Sequence, residues 1–214
     1  MEKLGVIFDV DGTLWDASQS VAEAWSKKCQ EMGYNHTFLA TDMKSVMGLP
    51  MDELGVKLIP SMGKEVRQPF LTASMDYELE YLKEHPGQLF PFEKETLASL
   101  LKQKIALAIV SNAQVGYIEC LLSGCQLNAY FVDYSCWGDN HLQKAENMAL
   151  VAKRNGFTKY LYVGDTMMDE KESEKAGVGF VHASFGYGKA IHPLAEANSF
   201  QELSLILPHY LLSK

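Results

Sequence analysis

Cysteine is scarce in this chain: four among 214 residues, with no CxxC pair. Cys29, Cys120, Cys125 and Cys136 are too few and too scattered for a zinc site or a disulfide framework. A chain this long buries a core without staples, so they are expected as reduced, buried thiols. Basic residues are also short, 19 Lys and Arg against 27 Asp and Glu for a net charge of −8, and they form no run that could neutralise a phosphate backbone. The six histidines stand at no ligand-like spacing. No apolar run is long enough to span a bilayer, and Met-Glu-Lys leads straight into an apolar stretch with no leader pattern. These absences point to a cytoplasmic protein whose partner is neither nucleic acid nor membrane but a small molecule. Oligomeric state is not readable.

Short apolar, β-branched runs recur at Leu4–Val10, Ile105–Val110, Tyr130–Tyr134, Tyr160–Val163 and Val178–His182. They are continuous rather than alternating, as strands of a parallel sheet covered on both faces are. Helical patterns separate them: Glu95–Lys104, Gln114–Leu122, and Ala145–Asn155, which stops at Gly156, a C′ glycine. Ser199–Leu212 reads as a closing helix. This alternation predicts an α/β fold with a doubly wound parallel sheet, Rossmann-like. Residues 16–86 differ, with helical stripes (Val21, Trp25, Met32; Leu71, Met75, Leu79, Leu82) and no convincing strand. The expected organisation is a core of 1–15 and 87–214 with a small α-helical insertion at 16–86. Asp42 is expected to N-cap a short helix that ends at Gly48-Leu-Pro.

In such sheets ligands sit beyond the carboxyl ends of the strands. After the first run come Asp9, Asp11, Gly12 and Thr13. Ser111 and Asn112 follow the second, and Gly164, Asp165, Thr166 and Asp169 follow the fourth. Lys144 opens the helix between the third and fourth runs. Asp9 and Asp11, two apart, would share a face of an extended chain, and their repulsion calls for a compensating charge. Carboxylates gathered on one rim suit a hard divalent cation, and oxygen-only ligation points to Mg²⁺. Ser111 or Asn112, backbone N–H groups near Gly12, and the Lys144 ammonium supply donors for a dianion, and the dianion that fits between Mg²⁺ and lysine is a phosphate. Ser111-Asn112 also reads as an N-cap for the helix that follows. Lys153 and Arg154 are rival cations, less well placed than Lys144. Trp15 and Asp16 read as hinge or packing residues. His182 and His192 are expected to satisfy local backbone. Met43, Met47 and Met51 are candidates for an adaptable surface facing the substrate.

DVDGT at 9–13, SN at 111–112, Lys144 and GDTMMD at 164–169 resemble, in order, the four motifs of the haloacid-dehalogenase-like hydrolase superfamily. An insertion between the first two motifs is similar to the subgroup of phosphoglycolate phosphatases and β-phosphoglucomutase, as are GLP at 48–50 and FGYG at 185–188. The resemblance covers nearly the whole chain. It implies that Asp9 is a nucleophile forming an aspartyl-phosphate, and that Asp11 is the acid and base, oriented by Thr13. It also implies that Asp9, the Asp11 backbone carbonyl and Asp165 hold Mg²⁺, with Asp169 a ligand or its orienter. Ser111 and Lys144 would hold the phosphoryl oxygens. Ala145 follows Lys144 where many relatives carry proline. The implied activity is Mg²⁺-dependent hydrolysis of a small phosphorylated metabolite by a phosphatase, with the insertion as a cap. The alternatives are a phosphomutase and a non-catalytic phosphometabolite-binding protein. A dehalogenase is disfavoured by the presence of Asp11. A phosphonate-cleaving enzyme would need a marked cap lysine, which Lys27, Lys28 and Lys57 do not supply.

Overall fold

The protein is described by a computed structural model covering residues 2–49 and 51–213. The chain begins with β1 (Leu4–Phe8) and β2 (Trp15–Asp16). Four helices follow, α1 (Ser18–Glu31), α2 (Ala40–Lys44), α3 (Met51–Leu58) and α4 (Lys64–Glu84), and then β3 (Gln88–Leu89) pairs antiparallel with β2. Beyond it come α5 (Glu93–Lys102), β4 (Ala106–Ser111), α6 (Tyr117–Gly124), β5 (Asp133–Cys136), α7 (Trp137–Asn140) and α8 (Lys144–Asn155). The chain ends with β6 (Lys159–Gly164), α9 (Met167–Ala176), β7 (Gly179–Ala183), β8 (Ala195–Ala197) and α10 (Leu203–Leu212).

Six strands form one parallel sheet in the order β5-β4-β1-β6-β7-β8. This is the doubly wound α/β fold that the alternation predicts. β1 lies at its centre, Val6 registered on Leu107 of β4 and Leu161 of β6. Its side chains alternate between two apolar layers. Val6 and Phe8 join the larger cluster with Leu107 and Ile109, while Ile7 joins the smaller one with Val110, Met148 and Val151. Each is fully buried, contributing roughly 1.5–3 kcal/mol relative to exposure. Burial on both faces is why the strand reads as a continuous apolar run. Among the described residues no helix is long and apolar enough to cross a membrane.

Several elements depart from expectation. The third main strand is Asp133–Cys136 rather than Tyr130–Tyr134, because Tyr130 closes a turn onto the Leu127 carbonyl (3.0 Å) before the ladder starts. β2, β3 and β8, of two or three residues, are too short to show a period. Asp42 does not cap α2. It sits inside the first turn, where its carboxylate accepts the Leu39 amide at 2.8 Å, the acidic half of a capping box. The helix ends at Lys44, short of Gly48, and Pro50 and the Met51 side chain lie outside the described residues. α6 starts at Tyr117 behind Gly116 (φ 92°), so Ser111-Asn112 does not cap it; Ser111 Oγ instead accepts the Ala113 amide at 3.1 Å. Gly156 closes α8 at φ 67°, as its position predicts. The four cysteines are free and buried.

Candidate active site

The strand ends assemble the site. The ladder carries β1 as far as the Asp9 amide, which donates to the Val163 carbonyl at 2.8 Å and delivers the Asp9 side chain beyond the sheet rim. Next to it β6 ends at Gly164 and releases Asp165, which is fully buried. Thr166 then caps α9. Its hydroxyl accepts the Asp169 amide at 3.2 Å, and Asp169 Oδ2 accepts the Thr166 amide at 3.0 Å and its hydroxyl at 2.6 Å. That reciprocal cap turns Asp169 back toward the rim. From the first residue of α8, Lys144 donates to Asp9 Oδ1 at 2.8 Å and to Asp169 Oδ1 at 2.6 Å while 2% exposed. Arg154 pairs instead with Asp133 at the surface. Carboxylate oxygens of Asp9, Asp165 and Asp169 lie within 4.8 Å of one another.

Charge is under-compensated there. Burial raises Asp9 to about 7 against the opposing pull of Lys144. Burial, then the charges of Asp169 and Asp9, raises Asp165 to about 8. Burial would raise Asp169 too, but the Lys144 charge and hydrogen bond and the Thr166 cap hold it below the usual carboxylate range. Lys144 is raised, because the two carboxylates outweigh its own burial. Tyr162, missed in the sequence because it reads as strand core, donates its hydroxyl to Asp169 Oδ1 at 3.1 Å. Asp169 thus has both oxygens engaged and serves to hold Lys144.

These residues fit a divalent cation. Asp165 Oδ1 is buried with no hydrogen-bond partner, while Asp165 Oδ2 accepts the Tyr187 amide at 2.7 Å. An unpartnered carboxylate oxygen beside a second carboxylate, both resisting ionisation, is a donor set completed by a hard cation. Glycines form its wall. A Cβ on Gly12 (φ 74°) would lie 2.3 Å from Asp165 Oδ2, and one on Gly186 2.4 Å from Asp165 Cβ. His182 stands behind, its Nε2 3.1 Å from the Asp165 carbonyl and its Nδ1 3.2 Å from Glu196 Oε2, consistent with a backbone-supporting role.

Asp11 does not follow Asp9. The ladder ends before it, so strand alternation no longer applies, and the two carboxylates are held by different partners. Asp11 Oδ1 accepts the Tyr117 hydroxyl at 2.8 Å and the Trp15 indole N–H at 3.1 Å. Burial raises it to about 6, opposed by those two bonds. Thr13 does not orient it; the Thr13 hydroxyl is buried without a partner. Trp15 takes that part in addition to the packing part read from its position, being fully buried in the core. The expected use of Gly12 is also corrected: its amide donates to the Trp15 carbonyl (3.0 Å) and that of Thr13 to Val10 (3.2 Å), so the turn itself engages both. No such bond holds the amides of Val10 and Asp11 among the described residues. Ser111 is buried beside the cluster, whereas the Asn112 side-chain N–H reaches across to the Gly48 carbonyl at 3.0 Å. The amide that proline at 145 would lack donates to Glu172 Oε2 at 3.1 Å.

Residues 6–183 match the family model of the haloacid dehalogenase-like hydrolases. The chain belongs to that family. The hydrolase is 27% identical over 212 residues to the phosphoglycolate phosphatase of Yersinia pestis, covering 93% of this chain and 90% of that one. It is 28% identical to the phosphoglycolate phosphatase of Aquifex aeolicus, covering 86% of each. Its fold matches the crystal structure of a predicted phosphoglycolate phosphatase from Haemophilus somnus (TM-score 0.83, 21% identity, 96% and 97% covered). It also matches CbbY from Rhodobacter sphaeroides in complex with phosphate (TM-score 0.74, 16% identity, 95% and 96% covered).

Above the rim, a partly open cavity of about 80 Å³ lies between the strand ends and the helices α1 to α4 of the hydrolase. Asp9, Asp11 and Ser111 form its floor, and Met43, Met47 and Met75 are among its apolar walls. Two carboxylates off the motifs bear on this region. Asp16 ties the loop after β7 to α2, accepting the Tyr187 hydroxyl at 2.8 Å and the Lys44 ammonium at 2.7 Å. Glu78 of α4 faces the cavity from within a buried stripe with Phe70, Ser74 and Leu82. A charged residue on the helix face of Phe70 and Leu82, beside the Leu71, Met75, Leu79 and Leu82 stripe, is the available signal for it.

Proposed function

We propose that this hydrolase is a Mg²⁺-dependent phosphatase that hydrolyses a small phosphomonoester through an aspartyl-phosphate on Asp9. The observation that carries the reading is the convergence of the Asp9, Asp165 and Asp169 carboxylates within 4.8 Å, with Lys144 bonded to Asp9 and Asp169, beneath a cavity lined by Asp9, Asp11 and Ser111. Residues 16–86 act as a cap that excludes water while the phosphoryl group moves.

Asp9 attacks phosphorus with one carboxylate oxygen. The P–O bond to the alcohol breaks as the new O–P bond forms, and Asp11, which its raised pKa keeps partly protonated near neutral pH, gives its proton to the leaving oxygen. Asp11, now ionised, takes a proton from water as that water attacks the aspartyl-phosphate, which releases phosphate and restores Asp9. Tyr117 and Trp15 hold the Asp11 carboxyl for both transfers. Ser111, the Lys144 ammonium and the Val10 and Asp11 amides receive the phosphoryl oxygens. Asp9, Asp165 through its unpartnered oxygen, and the Asp11 backbone carbonyl would hold Mg²⁺, which supplies charge neutralisation for the dianion and its carboxylate surroundings.

A sugar bisphosphate, as a mutase requires, would bring a second dianion into the cavity. No lysine, arginine or histidine lines the cavity among the described residues, which favours hydrolysis. Incubation with p-nitrophenyl phosphate and Mg²⁺, beside an Asp9→Asn control, tests the reading. Phosphate release should be Mg²⁺-dependent and lost in the control; equal release by both would refute it.

A further inference from the structure

The cavity that receives the leaving group has a distinctive charge. Beyond the floor, its ionisable side chain is Glu78, which is 6% exposed. Its Oε2 accepts the Trp25 indole N–H at 2.5 Å, and Gln114 Nε2 lies 3.5 Å from its Oε1. Both neighbours are donors, the arrangement that favours a carboxylate. Yet no lysine, arginine or histidine lines the cavity among the described residues, so the protein supplies no countercharge. Left so, burial, together with the nearby Asp11 charge, raises Glu78 to about 8. The walls add Trp25 and Tyr117, whose rings attract cations and repel carboxylates, and methionines that can conform to a small ligand.

We propose that Glu78 is a specificity-determining residue, and that the cavity takes a small phosphomonoester whose alcohol carries an ammonium group rather than a carboxylate. The inference rests on the phosphatase reading above and adds the substrate class. The phosphoryl group lies on Asp9 and the leaving oxygen on Asp11. The ammonium, a few atoms further, meets the Glu78 carboxylate between the Trp25 and Tyr117 rings. A carboxylate in that position would face Glu78 and Asp11 with no cation to pair it. The small volume of the cavity, about 80 Å³, suits a short alcohol. Relatives named for phosphoglycolate act on an ester with a carboxylate there, so this chain departs from them at the leaving group.

The test compares kcat/KM for 2-aminoethyl phosphate, 2-hydroxyethyl phosphate and 2-phosphoglycolate, which match in length and differ in charge, with p-nitrophenyl phosphate as a reference. The aminoethyl ester should exceed the hydroxyethyl ester by about 10- to 100-fold, the worth of a buried charged hydrogen bond, with phosphoglycolate lowest. In Glu78→Gln the aminoethyl-to-hydroxyethyl ratio should fall by a similar factor. Because the ratio is taken within one protein, a general loss of activity does not affect it. Turnover of p-nitrophenyl phosphate with any other order, or with none of the three esters hydrolysed, overturns this inference alone. A ratio unchanged in Glu78→Gln overturns the role of Glu78. No turnover of any ester by the wild type overturns the phosphatase reading, and this inference with it.

Discussion

Replacing Lys144 with methionine keeps the length and apolar stem of the side chain and removes the ammonium bonded to both Asp9 and Asp169. Breaking a buried ion pair from one side leaves its partner uncompensated and costs about 3–5 kcal/mol. Here the cost depends on pH. Asp169 is held below the ordinary range, so in the wild type it contributes stability above that range and loses it as the pH falls. Without Lys144, Asp169 joins Asp9 and Asp165, already raised to about 7 and about 8, as a group that folds only when protonated or buried unpaired. Keeping a proton on a carboxyl that ionises near 4 when unfolded costs about 1.4 kcal/mol for each further pH unit. Urea denaturation without added Mg²⁺ should therefore find Lys144→Met less stable than wild type by about 1–2 kcal/mol at pH 5 and about 3–5 kcal/mol at pH 8. Hydrolysis of p-nitrophenyl phosphate should fall at least ~10²-fold, as when a donor to developing charge is removed. A stability gap that is equal at the two pH values, or wider at pH 5, would refute the charge argument.

Further consequences can be checked separately. Tyr117→Phe removes a donor that lowers the Asp11 pKa, so the limb of the pH–kcat/KM profile set by Asp11 should move from about 6 toward higher pH by about one unit. An unmoved limb would deny Asp11 its acid–base role. Gly12→Ala would drive a methyl group to 2.3 Å from Asp165 Oδ2, and the Mg²⁺ concentration for half-maximal activity should rise at least ~10-fold. Glu93, 1% exposed with Oε1 unpartnered, is raised by burial to about 9. It stays protonated when folded while the unfolded chain ionises, so stability drains as the pH climbs from about 4.5 to 9. Glu93→Gln should raise the denaturation midpoint at pH 8, by up to about 5 kcal/mol in stability at ~1.4 kcal/mol for each pH unit above about 4.5, and change it little at pH 5.

Legibility in the sequence followed how each residue is constrained. β1, β4, β6 and β7 are buried on both faces, and that demand writes a continuous apolar run; β5 at the sheet edge and β8 with three residues carry no such mark. Asp9, Lys144, Asp165 and Asp169 were readable because backbone geometry fixes them, at strand ends or in the first turn of a helix. What surrounds Asp11 was not. Tyr117 lies 106 positions away, and whether Trp15 packs or donates depends on a rotamer that spacing does not encode. Thr13 misled for the same reason: its place in the motif says nothing of where its hydroxyl points. Glu78 shares a helix face with the buried Phe70 and Leu82, and its spacing does not distinguish a cavity-lining carboxylate from a solvated one.

The proposed mechanism turns on Asp9 receiving the phosphoryl group. Wild-type protein turning over substrate with Mg²⁺, quenched in acid within the first turnovers and digested, should yield a peptide spanning residues 4–16 that carries one phosphoryl group on Asp9. Asp165→Asn should reduce its yield and Asp9→Asn abolish it. Turnover that proceeds with Asp9 never modified, or with the phosphoryl group on another residue, would contradict the account.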